Sequence, residues 1–347
     1  MFRYATLCLV LVLGCLGSFA QDQTNQAETL KFSTDLVLLD VQVLARQTGH
    51  AISGLGQADF TVFENGVKQE IAHFSYDRLP LSVVLLVDVS GSVLPYVERL
   101  QQGALQALAK LKPEDEVAVL AFGRQVWLTR DFTRDRAALV AALNEFRTGA
   151  YLSGQQLNTD SGGPTAIGEG IYYAAAQLAA TAQPRRRRAI LIITDNLPND
   201  SHPPHSRAEV TAQLFEAGAV LHALIVDDAG SKMAKASQYS PLNIFTEKVI
   251  FKSAGNVNGY VEQTGGQLLR ANQADAGEQL AALIEQLRMR YSIGYTPLNT
   301  KFDGRFRKLN VKLTRQAAAP YGPLVIKTRA GYQAKPRPAP QPGSPNH

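Results

Sequence analysis

Five oxygen-bearing side chains in three separate segments carry the chemistry this sequence offers. Asp88-Val89-Ser90-Gly91-Ser92 follows directly on the apolar run Ser82–Val87. Gly162-Gly163-Pro164-Thr165 opens a helical stretch, and Thr194-Asp195 ends the apolar run Ala189–Thr194. Where a strand leads into a tight turn, side chains at i, i+2 and i+4 can aim at one point. Asp88, Ser90 and Ser92 have that spacing, and Gly91 permits the bend. Thr165 adds a hydroxyl from a second loop, and Asp195 adds a carboxylate from a third. Carboxylate and hydroxyl oxygens are hard donors, which suit Mg²⁺, with Mn²⁺ or Ca²⁺ as substitutes, rather than Zn²⁺. Two carboxylates do not close a cage. An octahedral ion there would keep waters and leave one position for an Asp or Glu carboxylate from a partner protein. The plainer reading is that Asp88, Ser90 and Ser92 only cap the next helix.

These residues need elements that bring them to one edge, and the pattern of the chain supplies them. Ser82–Val87 is apolar without interruption, as expected of a strand buried on both faces. Helical periodicity follows over Tyr96–Leu111 and stops at Lys112-Pro113. The spacing then predicts strands at Val117–Phe122 and Val126–Thr129, a helix at Arg134–Phe146 and a long helix at Ala166–Ala182. A strand at Ala189–Thr194, a helix at Arg207–Ala217, strands at Val220–Val226 and Gln267–Ala271, and a helix at Ala274–Arg290 complete the middle of the chain. Strands alternating with helices define an α/β fold, a doubly wound, mostly parallel sheet flanked by helices. In such a sheet all three oxygen-bearing segments fall at the carboxyl edge, where ligands bind.

The two ends of the chain read as β structure. Val37, Leu39, Val41 and Val43 alternate with other residues at period two, and Glu64-Asn65-Gly66 between Phe60–Phe63 and Val67–Phe74 is a hairpin signal. Tyr291–Thr296, Phe306–Thr314 and Leu324–Thr328 restore the same rhythm. The expected organisation is a signal segment at 1–20, a flexible leader at 21–34, a β unit at 35–78 and an α/β domain at 80–290. Strands in 291–333 would pack with 35–78 as a smaller β-sandwich-like domain. A Pro-rich tail at 334–347 reads as disordered.

The five positions Asp88, Ser90, Ser92, Thr165 and Asp195 resemble, in order and on matching elements, the metal-ion-dependent adhesion site of the von Willebrand factor type A domain. The resemblance covers about residues 80–290 and implies a metal-binding, adhesion or scaffold module rather than an enzyme. It implies that Ser90, Ser92 and Thr165 touch the ion directly, while Asp88 and Asp195 do so directly or through water. It also implies that ion occupancy can shift the last helix, Ala274–Arg290. The flanks resemble a bacterial branch of VWFA-related proteins, in Asp59-Phe60, Tyr291-Ser292-Ile293-Gly294-Tyr295, Phe306-Arg307-Lys308-Leu309 and Arg329-Ala330-Gly331-Tyr332. One position departs: Asn196 follows the last Asp where the family commonly has Gly, which puts the backbone turn there in question.

The rest of the sequence narrows the function classes. Arg3, an apolar run from Tyr4 to Leu16 and small residues before Gln21 have the layout of a secretory signal cleaved after Ala20. Both cysteines, Cys8 and Cys15, lie within it, so the mature chain would have no thiol chemistry. Val12-Leu13-Gly14-Cys15 also resembles a lipobox, which would anchor the chain through a lipid on Cys15; Leu13 is not the small residue preferred there. Either way the expected place is outside the cytoplasm: secreted, periplasmic or in the cell envelope, with no transmembrane span. The formal charge of +5 is too mild for a nucleic-acid stripe.

Enzyme readings lack their residues. Position 90 is Ser where a haloacid-dehalogenase-type phosphatase needs a second Asp, no Lys follows the glycines of 161–170, and no Gly-x-Ser-x-Gly elbow occurs. His202 and His205 around Pro203-Pro204 invite zinc but lack a third ligand, so a mobile surface loop is expected there. Arg185–Arg188 reads as a solvated approach to the next strand, and the loops 151–160 and 227–266 as the carriers of specificity. Two alternatives to a binding module stay open. One is a hydrolase using Mg²⁺ or Mn²⁺ as Lewis acid; the other is a structural envelope protein braced by the ion.

Overall fold

Strands buried on both faces dictate the architecture, and the computed structural model builds it around them. It describes residues 36–76, 79–91, 93, 96–157, 166–181, 186–196, 203–226 and 257–334. The signal segment, the leader, the lipobox cysteine and the tail beyond residue 334 lie outside the described residues, as do most of the 227–266 connection and His202.

In chain order the strands are β1 (Val37–Ala45), β2 (Phe60–Glu64), β3 (Val67–Gln69), β4 (Ile71–Tyr76), β5 (Leu81–Asp88), β6 (Glu116–Phe122), β7 (Val126–Thr133) and β8 (Gln155–Gln156). They continue as β9 (Arg187–Thr194), β10 (Ala219–Val226), β11 (Leu268–Ala271), β12 (Tyr291–Tyr295), β13 (Phe306–Leu313), β14 (Leu324–Lys327) and β15 (Gly331–Gln333). The helices are α1 (Val97–Leu108), α2 (Arg136–Thr148), α3 (Ile167–Ala180), α4 (Arg207–Ala217), α5 (Val257–Thr264), α6 (Ala276–Gln286) and the short α7 (Arg315–Ala318).

The central sheet runs β11-β10-β9-β5-β6-β7-β8. β5, β6, β9, β10 and β11 are parallel, while β7 and β8 add an antiparallel edge. All eight residues of β5 are buried, because its side chains feed two separate cores. Val83, Leu85 and Val87 pack beneath α1, α2 and α6, and Val84 and Leu86 beneath α3, α4 and α5. The fold is therefore α/β with a mostly parallel sheet covered by helices on both faces. α1 and α6 approach backbone to backbone: a Cβ on Gly103 would stand 2.2 Å from the carbonyl oxygen of Gly277.

The terminal strands form two further antiparallel sheets, β14-β1-β12-β4 and β15-β13-β2-β3. β1 from the N-terminal part pairs with β12 and β14, and β2 pairs with β13. Both sheets feed one core that includes Leu39, Val41, Phe60, Val62, Tyr291, Ile293, Leu309 and Val311. The Asn65-Gly66 turn behaves as its residues suggest, with φ of 47° and 84° joining β2 to β3. The strand expected to continue from Val67 to Phe74 instead breaks at Glu70, and β4 crosses to the other sheet beside β12. Part of the expected 227–266 connection is helix α5.

The central sheet meets the terminal strands through buried polar groups. Arg290, 1% exposed, donates Nε to Asp40 Oδ1 at 2.5 Å and reaches Gln42 Oε1 and the Gly265 carbonyl. Arg187 donates to the carbonyls of Leu287, Arg288 and Arg290, answering the unpaired acceptors at the end of α6. Arg186 bonds Ser82 Oγ and the carbonyls of Leu81 and Glu114, and Arg188 those of Ala217 and Thr181. The arginine run is thus not a solvated approach to a strand. From Arg186 onward it holds carbonyls, and Arg185 lies outside the described residues.

Removing Arg290 takes the close partner from Asp40 and the donors from buried Gln42 and the Gly265 carbonyl at once. Arg290→Met is expected to cost about 3–5 kcal/mol of unfolding free energy, measured by urea denaturation. A loss below about 1 kcal/mol would show that Arg290 is not holding the terminal strands to the central sheet.

Candidate metal centre

The central sheet changes direction of winding at β5. From β5 the chain proceeds to β6, β7 and β8 on one side, then returns to β9, β10 and β11 on the other. Helices cover both faces of the sheet, and the carboxyl ends of β5 and β9 at such a switch point are the place where open α/β sheets bind ligands. Val87 pairs with Ile193 there, which sets Asp88 beside Thr194.

Three of the five expected ligand residues are described, and Asp88, Ser90 and Asp195 do share this edge. Asp88 is 0% exposed and Asp195 4%. The Ser90 N–H donates to Asp88 Oδ1 at 2.9 Å, and the Thr194 hydroxyl donates to Asp88 Oδ2 at 2.7 Å. Ser92 and Thr165 lie outside the described residues. Ala166, the next residue after Thr165, is buried and donates its N–H to the Gly123 carbonyl at 2.9 Å, just beyond the end of β6.

Thr194 is a residue that the sequence did not single out for a role of its own. Its Oγ1 donates to Asp88 and accepts the Asn196 N–H at 3.0 Å, so one hydroxyl ties both strand ends together. Asn196 also settles the question raised by its identity. It adopts φ 59°, the left-handed region where Gly is usual and Asn is the best-tolerated substitute. Its side-chain oxygen accepts the Val257 N–H at 3.1 Å, attaching the turn to the first residue of α5.

Electrostatics at this edge favour a positive guest. Burial pushes the Asp88 carboxyl up from 3.8 to about 6, against the lowering effect of the hydrogen bonds from Ser90 and Thr194, and the Asp195 carboxylate adds to the rise. Among the described residues Asp88 forms no ion pair. A dry carboxylate beside a second carboxylate, with hydroxyl oxygens close by, is the donor chemistry of a hard divalent cation. The residues present fit such an ion. Among the described residues no group of three His, Cys, Asp or Glu gathers as a softer metal would require.

His205 is not in a mobile loop. Its N–H and its Nδ1 both meet the buried Glu169 carboxylate of α3, at 2.9 Å each, and its ring stacks on Tyr172 with centroids 3.6 Å apart. The following Ser206 caps α4 in a reciprocal box with Glu209, which fixes the backbone at that point. Nothing local in the sequence pairs residue 205 with residue 169. The link is made by the packing of α3 on α4.

Residues 83–197 match the family model described as von Willebrand factor type A domain, and this part of the chain is such a domain. No curated protein matches the chain. Solved structures that resemble it include the conserved hypothetical protein BatB from Bacteroides thetaiotaomicron, at 17% identity and a TM-score of 0.41, covering 60% of this chain and 98% of that one. An aerotolerance-related membrane protein from Bacteroides fragilis NCTC 9343 matches at 18% identity and a TM-score of 0.38, covering 59% and 99%. The vWF domain of the type V pili tip protein Mfa5 from Porphyromonas gingivalis matches at 10% identity and 0.37, covering 60% and 95%. These likenesses are loose, and the functional reading rests on the chain's own residues.

The raised Asp88 value gives a sign for the cation-free protein. Between about pH 4 and pH 6 the folded chain keeps a proton on Asp88 that the unfolded chain has released. Stability therefore falls as pH rises through that window, by about 3 kcal/mol in all, and stays low above it. In EDTA near neutral pH, Asp88→Asn is expected to be more stable than the parent chain in urea unfolding, with a flatter pH dependence. A variant less stable than the parent under those conditions would contradict the account.

Proposed function

We propose that the chain is an exported protein-binding module, an adhesion or scaffold protein, whose cation site accepts an Asp or Glu carboxylate from a partner protein. The observation that carries the reading is the convergence of Asp88, Ser90 and Asp195 at the switch point between β5 and β9, in a segment that matches the von Willebrand factor type A family model. Mg²⁺, with Mn²⁺ or Ca²⁺ as substitutes, is the guest whose preference for hard oxygens fits these donors, with Ser92 and Thr165 completing the set. The acidic pair balances the charge of a divalent ion but fills too few positions to enclose it. A partner carboxylate would take an open position, and the ion would make that carboxylate the point of recognition.

Export is part of the proposal and rests on the signal layout of residues 1–20, with attachment through Cys15 as the other outcome of the same segment. Among the described residues no helix is long and apolar enough to cross a membrane.

Calorimetric titration of Mg²⁺ into the purified protein tests the site. One ion per chain is expected, with binding abolished in Asp88→Ala and weakened about tenfold or more in Ser90→Ala. Unfolding curves in EDTA check that both variants are folded. An isotherm unchanged in folded Asp88→Ala overturns the proposal.

A further inference from the structure

The seam between the central sheet and the terminal strands contains a second charged site, of opposite sign. Arg187 and Arg290 are 6% and 1% exposed, and His222 of β10, fully buried, faces the same seam. Lys327 enters from β14, donating Nζ to the Gly266 carbonyl at 3.1 Å. The charges of Arg290, Lys327 and Arg187 all act on His222. Carboxylates are fewer. Asp40 serves Arg290 at 2.5 Å and stands 3.8 Å from Arg187 Nε, while Glu262 acts on Lys327 from an exposed position.

Hydrogen bonding is incomplete in the same place. His222 Nδ1 accepts the Gln267 N–H at 3.3 Å, which puts the ring proton on Nε2. Burial, then the nearby cations, holds His222 well below its ordinary value, so the ring stays neutral. Its Nε2–H is buried without a hydrogen-bond partner, as are Gln286 Oε1 and Thr328 Oγ1, and Arg187 Nε has only the Asp40 carboxylate at 3.8 Å. Thr328 adjoins Gly265, whose carbonyl accepts from Arg290. Buried N–H groups are almost always paired, and a buried excess of positive charge is costly until an opposite charge meets it. A neutral water would answer the first demand only.

We propose that this seam binds a small monovalent anion of the halide class, held by His222 Nε2–H, Arg187 Nε–H and the Thr328 hydroxyl, in the field of Arg290 and Lys327. Gln286 joins by presenting its NH₂ in place of its oxygen, the two being equivalent in shape. Burial of His222, Arg187 and Arg290 selects a small ion over phosphate or a carboxylate ligand. Such an ion binds the folded chain and not the unfolded one, so it fastens the terminal strands to the central sheet. The site is independent of the cation reading.

Thermal unfolding of the full chain in EDTA, with sodium chloride or bromide replacing sodium gluconate at constant ionic strength, tests it. The melting temperature is expected to rise by several degrees and to saturate with halide. In Lys327→Met, at the rim of the seam, the halide increment, read against the variant's own melting temperature in gluconate, is expected to fall by about half or more. Equal curves in both salts overturn the proposal, as does a variant that keeps the full increment. Crystals soaked in bromide give a second reading. An anomalous peak within hydrogen-bonding distance of His222 Nε2 supports the site, and water density alone there overturns it.

Discussion

Asp88 is a carboxylate placed at the end of a fully buried strand, where, among the described residues, neighbouring dipoles alone offset the loss of water. The Ser90 N–H and the Thr194 hydroxyl each take one of its oxygens, so the carboxylate joins the end of β5 to the end of β9. These bonds do not cancel the burial, as the elevated protonation value shows. The strand ends are thus held in a condition that a divalent cation relieves: a buried carboxylate beside a second one, with hydroxyl oxygens next to them. The fold accepts this cost because β5 and β9 are central strands whose middle residues, 83–87 and 189–193, are apolar and buried.

β9 connects that edge to the opposite one. At its far end Arg187 answers the last carbonyls of α6, and Arg290, four residues past the end of that helix, pairs with Asp40 of β1. α6 in turn lies against α1 through Gly103 and Gly277, and α1 begins shortly after the Asp88–Ser92 segment. The terminal strands are therefore not a loosely attached accessory. Their Asp40 pairs with Arg290, and their buried Gln42 donates its side-chain amide to the carbonyl of Gln286, the last residue of the helix that closes the central fold.

Much of this was legible in the sequence because it depends on local pattern. The uninterrupted apolar runs of β5 and β9 announce strands buried on both faces, and the oxygen-bearing residues after them could fall only at the carboxyl edge. The Asn65-Gly66 turn was equally plain. What could not be read depends on distant partners. The break at Glu70, which sends β4 to the second sheet, is decided by β12, more than two hundred residues away in the chain. The arginines from 186 to 188 look solvated until the carbonyls they meet are known. His205 looks like a loop residue until α3 brings Glu169 beneath it. Asn196 looks like a defect in a familiar turn, yet its side chain supplies the acceptor for α5 that Gly could not.

The central claim is that Asp88, Ser90 and Asp195 are ligands and not merely a capped turn. Anomalous diffraction from crystals soaked in Mn²⁺ addresses it most directly. The account predicts one strong peak at the carboxyl ends of β5 and β9, with the Ser90 hydroxyl oxygen at a coordination distance of about 2.1 Å and the carboxylates of Asp88 and Asp195 bound directly or through one water. Crystals of folded protein with no peak there, or with manganese only on surface carboxylates, would contradict it.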